Sequence, residues 1–234
     1  MKIPLHLQVR LNDVVARERR KPTTQAIFVG GSMARGTADK FSDIDVLVLT
    51  TGQPRFIRYY DRNLDIEVET VTLASMKKKL AADPATWYAW QNLKPLFDPS
   101  GQSLAIRRLL KSFQAQYCTP DQIRGDQYIR LRHWRQKCLR SLSDAAKARA
   151  LVSAAMIDIC RSQFALRNVI IPPTAQILSV SLDHAALPKP LKRLMKESLL
   201  KGLAPRRLVP TIEALLPKLQ PVMRRYHKFY RPWR

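Results

Sequence analysis

What the chain has little of narrows it first. Among its 234 residues no apolar run approaches the length of a membrane span, which excludes a helical membrane protein. The N-terminal stretch MKIPLHLQVRLNDVV is broken by polar and charged residues where a secretory signal needs an unbroken apolar core, so a cytoplasmic location is expected. Cysteine is scarce. Cys118, Cys138 and Cys160 are scattered and odd in number, which excludes a disulfide frame, suits reduced thiols, and leaves them as small buried apolar residues. His6, His133, His184 and His227 lie far apart and pair with no cysteine at zinc spacing, so a structural zinc is not expected. Repeats and low-complexity segments are absent as well.

Acidic residues are the other shortage: 18 Asp and Glu stand against 41 Lys and Arg, a net charge of +23. The imbalance is uneven. Residues 1–100 hold 15 basic and 11 acidic side chains, residues 101–234 hold 26 and 7. Such a field draws anions such as nucleic acid, free nucleotides or membrane phosphates toward the second half and disfavours cationic ligands unless a local acidic pocket screens it.

Hydrophobic residues make up 46% of the chain, enough for one large domain or two modest ones. Leu7 onward reads as a helix. Gln25–Val29, ended by Gly30-Gly31, reads as a buried strand and tight turn, and Ser32–Arg35 as a first helical turn. Asp45–Leu49 is a second strand. Leu64–Val71 is a third, with Asp65, Glu67 and Glu69 on one face and Leu64, Ile66 and Val68 on the other. The segment MKKKLAADPATWYAWQNLKPLF reads as helix, proline break, helix, and Phe97–Gly101 as a turn. From Leu104 the patterning predicts helices near 104–116, 121–141, 144–167, 174–179, 189–201 and 207–225, the last interrupted by Pro210, Pro217 and Pro221. Ala145–Leu166 is apolar nearly all round, as the central helix of a bundle is. The change of architecture at Asp98–Gly101 is the expected domain boundary, between residues 1–100 and a basic α-helical domain in residues 101–234.

Asp43 and Asp45, two apart at the start of a strand, project to the same side. Like charges that close repel, and a divalent cation such as Mg²⁺ resolves the conflict, with Asp65 on a neighbouring strand available to complete the cluster. Upstream, Gly31 and Ser32 open a helical turn whose N–H groups suit an anion, and Gly36 turns the loop back toward the aspartates. A phosphate grip facing a metal site is the equipment of phosphoryl or nucleotidyl transfer.

Gly31–Gly36 (GSMARG), Ser42–Val46 (SDIDV) and Arg62–Val68 (RNLDIEV), in that order, resemble the active-site signature of the DNA polymerase beta-type nucleotidyltransferase superfamily. The likeness covers residues 25–72; the helical remainder is only loosely similar to the C-terminal bundles of bacterial nucleotidyltransferases, including those that modify antibiotics. The resemblance implies an α/β (α+β) domain with a small mixed twisted sheet followed by an all-α bundle. It implies an NTP substrate, ATP first among the candidates, and two Mg²⁺ ions on Asp43 and Asp45, with Asp65 as the third carboxylate, ligand of the second ion and general base, and Glu67 as its alternate. Gly31 and Ser32 then hold terminal phosphates, Arg35 neutralises the triphosphate, and Ser42 belongs to the nucleotide-binding set.

The acceptor stays open among an RNA such as a tRNA end, a small hydroxylated compound such as an aminoglycoside, and a protein hydroxyl. The competing reading is a non-catalytic nucleic-acid-binding protein that keeps the fold, against which the intact triad argues. Trp87, Tyr88 and Trp90 either line an acceptor cleft or pack a domain interface. Arg130, Arg132, Arg135, Lys137 and Arg140 read as a solvated helix face, Glu67 and Glu69 as a solvated strand face. In the tail MRRYHKFYRPWR, cations interleave with aromatics, which suits either nucleic acid or packing on the bundle.

Overall fold

The computed structural model describes residues 4–61, 64–140 and 144–226, the last four of these by backbone only. It divides into two compact units, Met1–Gln116 and Tyr117–Arg234. The last strand ends at Phe97, and the first unit runs on through the helix Gln102–Gln116, because Ile106 and Leu110 of that helix are buried in the core of the first unit.

The first unit is a mixed sheet covered on both faces. Helix α1 (Leu5–Arg19) leads into β1 (Thr24–Val29), the short α2 (Gly31–Arg35), β2 (Ile44–Thr50), β3 (Arg55–Asp61) and β4 (Leu64–Val71). Helices α3 (Leu73–Ala82) and α4 (Thr86–Trp90), strand β5 (Lys94–Phe97) and helix α5 (Gln102–Gln116) follow. The strand order is β3-β4-β2-β1-β5. Only β2 and β4 are parallel; the other neighbours run antiparallel. Period-two alternation sorts the strands' side chains. Ile27, Val29, Ile44, Val46, Ile66 and Val68 meet Leu7, Leu11 and Val14 of α1 on one face. On the other, Ala26, Phe28, Leu47, Leu49 and Val71 meet Met76, Leu80, Trp90 and Leu110.

Two strands depart from the sequence reading. Arg55–Asp61, unassigned in the sequence, is β3, an edge strand whose mixed aromatic and basic pattern lacks the apolar alternation of its neighbours. Lys94–Phe97, read as the end of a helix, is β5, an edge strand paired with β1; Pro95 is tolerated there because an edge strand leaves one side of its backbone unpaired. Helix α4 is correspondingly short.

The second unit is helical throughout its described residues: α6 (Asp121–Leu139), α7 (Ala145–Leu166), α8 (Ile177–Asp183), α9 (Lys189–Lys201) and α10 (Val209–Tyr226). Helix α7 is central, as its composition implies, with Val152, Met156, Ile159 and Phe164 buried in the unit's core. Helix α10 runs through Pro217 and Pro221. Ile212, Leu215, Leu219 and Val222, spaced for one face, are buried, and that burial outweighs the lost backbone hydrogen bonds.

Asp158 on α7 is 4% exposed and accepts a 2.7 Å hydrogen bond from Trp134 Nε1, with Arg130 and Arg161 beside it. Asp158→Ala leaves the indole N–H of the partly buried Trp134 without this partner, and a loss of about 1–3 kcal/mol is expected in urea unfolding followed by tryptophan fluorescence.

Candidate active site

The acidic constellation is built where β2 begins. Parallel pairing sets the Cα atoms of Ile44 and Ile66 opposite one another, and those of Asp45 and Glu67 opposite one another. Asp45 therefore lies beside Glu67, one register step from Asp65. Asp43 is exposed just ahead of the strand, while Asp45 is partly buried. Burial pushes the Asp45 carboxyl up to about 6, helped by the negative charges of Asp43 and Glu67 and opposed by Arg35. That is the electrostatic signature of a site short of positive charge.

The glycine loop closes directly over this carboxylate. Gly30 N donates to the Asp45 carbonyl at 2.8 Å. Gly31 sits at φ +55°, and a Cβ there would lie 1.9 Å from Asp45 Oδ2. Only glycine fits, for both conformation and space. Next to it the Ser32 hydroxyl oxygen is buried and has no hydrogen-bond partner, an unsatisfied polar group that a phosphate oxygen would satisfy. Helix α2 is a single five-residue turn closed by Gly36 at φ +74°, so its dipole adds little and the grip rests on the loop itself.

The remaining sequence candidates find specific places. Arg35 is exposed and acts on Asp45 through its field. Ser42 is engaged in the turn that precedes Asp43: its hydroxyl accepts from Asp39 N at 2.9 Å and donates to Asp39 Oδ1 at 3.1 Å. Asp65 is held by Arg58 of β3, whose Nε lies 3.0 Å from both carboxylate oxygens and whose Nη2 also binds Oδ2. This contact holds the Asp65 carboxyl below its ordinary value. Arg58 also reaches Glu67 at 3.2 Å. Glu69 pairs with Lys79 of α3. The acidic face of β4 is thus ion-paired and partly covered, where the sequence reading made Glu67 and Glu69 a solvated face.

Arg58 was missed along with its strand; the aromatic, β-forming run RFIRYYD after Pro54 carried the signal. Among the described residues no three of His, Cys, Asp and Glu converge closely enough to hold a metal ion. The donor set nonetheless fits a hard divalent cation with a phosphate. Asp43, Asp45 and Glu67 are oxygen donors in a positive-charge deficit, beside a glycine cradle and an orphaned hydroxyl.

Other residues prove structural. Trp90 is in the core with α5, and Trp87 donates its Nε1 to the Leu110 carbonyl at 3.2 Å. Arg135 pairs with Glu213, while Arg132 and Lys137 lie over Tyr128 and Trp134. Cys138 and Cys160 are buried and their thiols are pushed up to about 11 by burial; Cys118, contrary to the sequence reading, is exposed and near Asn168 Oδ1. Arg62, Asn63, His227 and the C-terminal basic-aromatic tail beyond Tyr226 lie outside the described residues.

Residues 13–111 match the family described as "Nucleotidyltransferase domain". Among solved structures, a nucleotidyltransferase-like protein from Exiguobacterium sibiricum 255-15 is similar at 16% identity and a TM-score of 0.44, over 97% of this chain and 82% of its own. Among curated proteins, none matches. No described helix is long and apolar enough to cross a membrane.

Proposed function

Residues 13–111 being a nucleotidyltransferase domain, we propose that the chain transfers a nucleoside monophosphate from an NTP, ATP in the first instance, to an acceptor hydroxyl with release of pyrophosphate. The observation that carries the reading is Asp45, under the charge of Asp43, lying against the Gly30-Gly31 loop, with the unpartnered Ser32 hydroxyl next in that loop. Gly31 and Ser32 hold the triphosphate tail, and Arg35 offsets its charge. Divalent cations on Asp43 and Asp45, two Mg²⁺ in the reading adopted here, would supply Lewis-acid polarisation of the phosphates.

The third carboxylate comes from β4. Glu67 suits it better than Asp65 because it is the register partner of Asp45; Arg58 reaches both carboxylates, but grips Asp65 through both of its oxygens and Glu67 through one. In the step itself the acceptor oxygen attacks the α-phosphorus as its proton passes to this carboxylate. The bond from the α-phosphorus to the bridging oxygen breaks, and the electron pair leaves with pyrophosphate.

The acceptor is read as a polyanion such as a tRNA end. Residues 117–234 hold 23 basic and 7 acidic side chains, and a field of that sign favours RNA over a cationic drug. The test offers α-labelled ATP, CTP, GTP and UTP with Mg²⁺ to total tRNA, to an aminoglycoside mixture and to the protein alone. Label on tRNA, lost in Asp43→Ala and Glu67→Gln and largely kept in Asp65→Asn, is expected. Label on the drug or on protein keeps the chemistry and replaces the acceptor. Salt-sensitive RNA binding without any transfer would establish the non-catalytic reading instead.

A further inference from the structure

The two edges of the sheet are unlike. Strand β5 is four residues long and carries Pro95, which blunts it as a template for another strand. Strand β3 has seven residues, no proline and no glycine, and among the described residues it pairs only with β4. Among those residues its outer backbone edge has no strand partner. It also shows large apolar side chains to solvent: Phe56 is 58% exposed and Tyr60 72%.

Free charges commonly protect such an edge, but the charges of β3 are engaged within their own unit. Arg55 reaches Glu18 at 3.7 Å, a carboxylate that also holds Arg17 and Lys21. Arg58 is taken by Asp65 and Glu67. Asp61 meets Arg10 at 3.4 Å. What remains at the edge is an aromatic-rich strand with no strand on its outer side among the described residues.

The sequence of that strand, Arg55-Phe-Ile-Arg-Tyr-Tyr-Asp61, is complementary to itself read backwards. We infer that β3 pairs antiparallel with β3 of a second copy of this chain, centred on Arg58, to join two five-stranded sheets into one of ten strands. In this register Arg55 faces Asp61 of the other copy, Phe56 faces Tyr60, and Ile57 faces Tyr59. Aromatic pairs directly across a ladder are a favourable combination, and Arg55 and Asp61 meet with opposite sign while each keeps its own-unit partner, Glu18 and Arg10. The one like-charge meeting, Arg58 against Arg58, is neutralised in advance, since each guanidinium already lies between two carboxylates of its own chain.

Another occupant would have to match the same alternation. A second copy does so by symmetry, and a two-fold contact is the commonest form of assembly. Because residue 58 meets residue 58 across the dyad, side chains that share a face in one copy share it in both. Phe56, Arg58 and Tyr60 are register partners of Glu69, Glu67 and Asp65, so both acidic clusters open on the same side of the joined sheet. At about 4.8 Å per strand, five spacings separate the two Asp45 positions by roughly 24 Å. This inference does not depend on what the site transfers.

The experiment uses the full chain with Cys118→Ser to remove the exposed thiol. Native protein is expected at twice its chain mass in sedimentation equilibrium, and a Phe56→Lys/Tyr60→Lys variant at the single mass with unchanged circular dichroism. Phe56→Cys/Tyr60→Cys is expected to run as a disulfide-linked dimer on a non-reducing gel. Either single cysteine is expected not to link, because residue 56 faces residue 60 and not itself. Within one chain the two positions are roughly 13 Å apart, too far for an internal bridge. A monomeric native chain overturns the inference, and so does linkage by the single variants at the rate of the double one. If the lysine variant does not fold, the cysteine series still decides.

Discussion

Alanine at position 31 is expected to cost at least about 100-fold in kcat/KM for nucleotidyl transfer while leaving the chain folded. The residue sits at φ +55°, and the added methyl would lie 1.9 Å from Asp45 Oδ2 and 3.0 Å from its Cγ. Left-handed backbone costs a non-glycine residue about 1–2 kcal/mol, a charge the unit survives. The overlap is resolved more cheaply by rotating the Asp45 carboxylate than by moving strand β2, whose Asp45 carbonyl is pinned to Gly30 N. The carboxylate then points away from the place where the phosphates and their counter-cation are gathered. Gly36→Ala is the control. Its φ is +74° but a Cβ there meets nothing within 4 Å, so it carries the same backbone strain without touching the aspartate. Thermal midpoints falling by similar amounts in the two variants, with activity lost only at position 31, are expected. Equal activity in both would show that the loop does not position Asp45.

The parts of this site that the sequence revealed are those in which one residue type has one physical use. A Gly-Gly pair after an apolar strand, and two aspartates at period two entering the next, specify turn and face without any knowledge of the tertiary structure. The β-branched strands β1, β2 and β4 were legible for the same reason. Arg58 was not, because its strand is an edge with one face half in solvent, and such a strand keeps no apolar alternation to detect. With β3 unseen, the choice between Asp65 and Glu67 had no geometric basis. Both lie on the acidic face, and only the β2–β4 register, a long-range property, sets Glu67 beside Asp45. Strand β5 was hidden by its proline and by the aromatic run before it, which reads equally well as helix. Where helix α5 belongs was likewise a packing question: the turn at Asp98–Gly101 follows the last strand, and Ile106 and Leu110 tie the helix after it to the sheet. In the second unit, Pro217 and Pro221 argued against a helix that four buried apolar residues on α10 sustain.

Asp45→Asn is expected to inactivate the protein and, without divalent cations, to make it more stable. The Asp45 carboxyl is raised from 3.8 to about 6 by burial and by Asp43 and Glu67. A carboxyl raised on folding binds its proton more tightly in the folded chain, so the cost of its charge is absent below pH 4. That cost grows as pH rises toward 6 and is complete above it. Two pKa units correspond to about 3 kcal/mol, which partial exposure and salt reduce to an order of 1–2 kcal/mol. Asparagine keeps the shape and removes the charge. At pH 8 in chelator the variant is therefore expected to melt a few degrees above the native chain, about 2–8 °C for a domain of this size, and the gap is expected to close at pH 4. Added Mg²⁺ with NTP should raise the native midpoint and leave the variant's unchanged, while transfer falls by more than about 100-fold as several kcal/mol of metal-assisted stabilisation are lost. An aspartate kept for architecture would lose stability together with activity. One kept for chemistry holds a repulsive charge that the folded chain tolerates because ligand binding discharges it, so opposite signs in the two measurements identify Asp45 as a functional group.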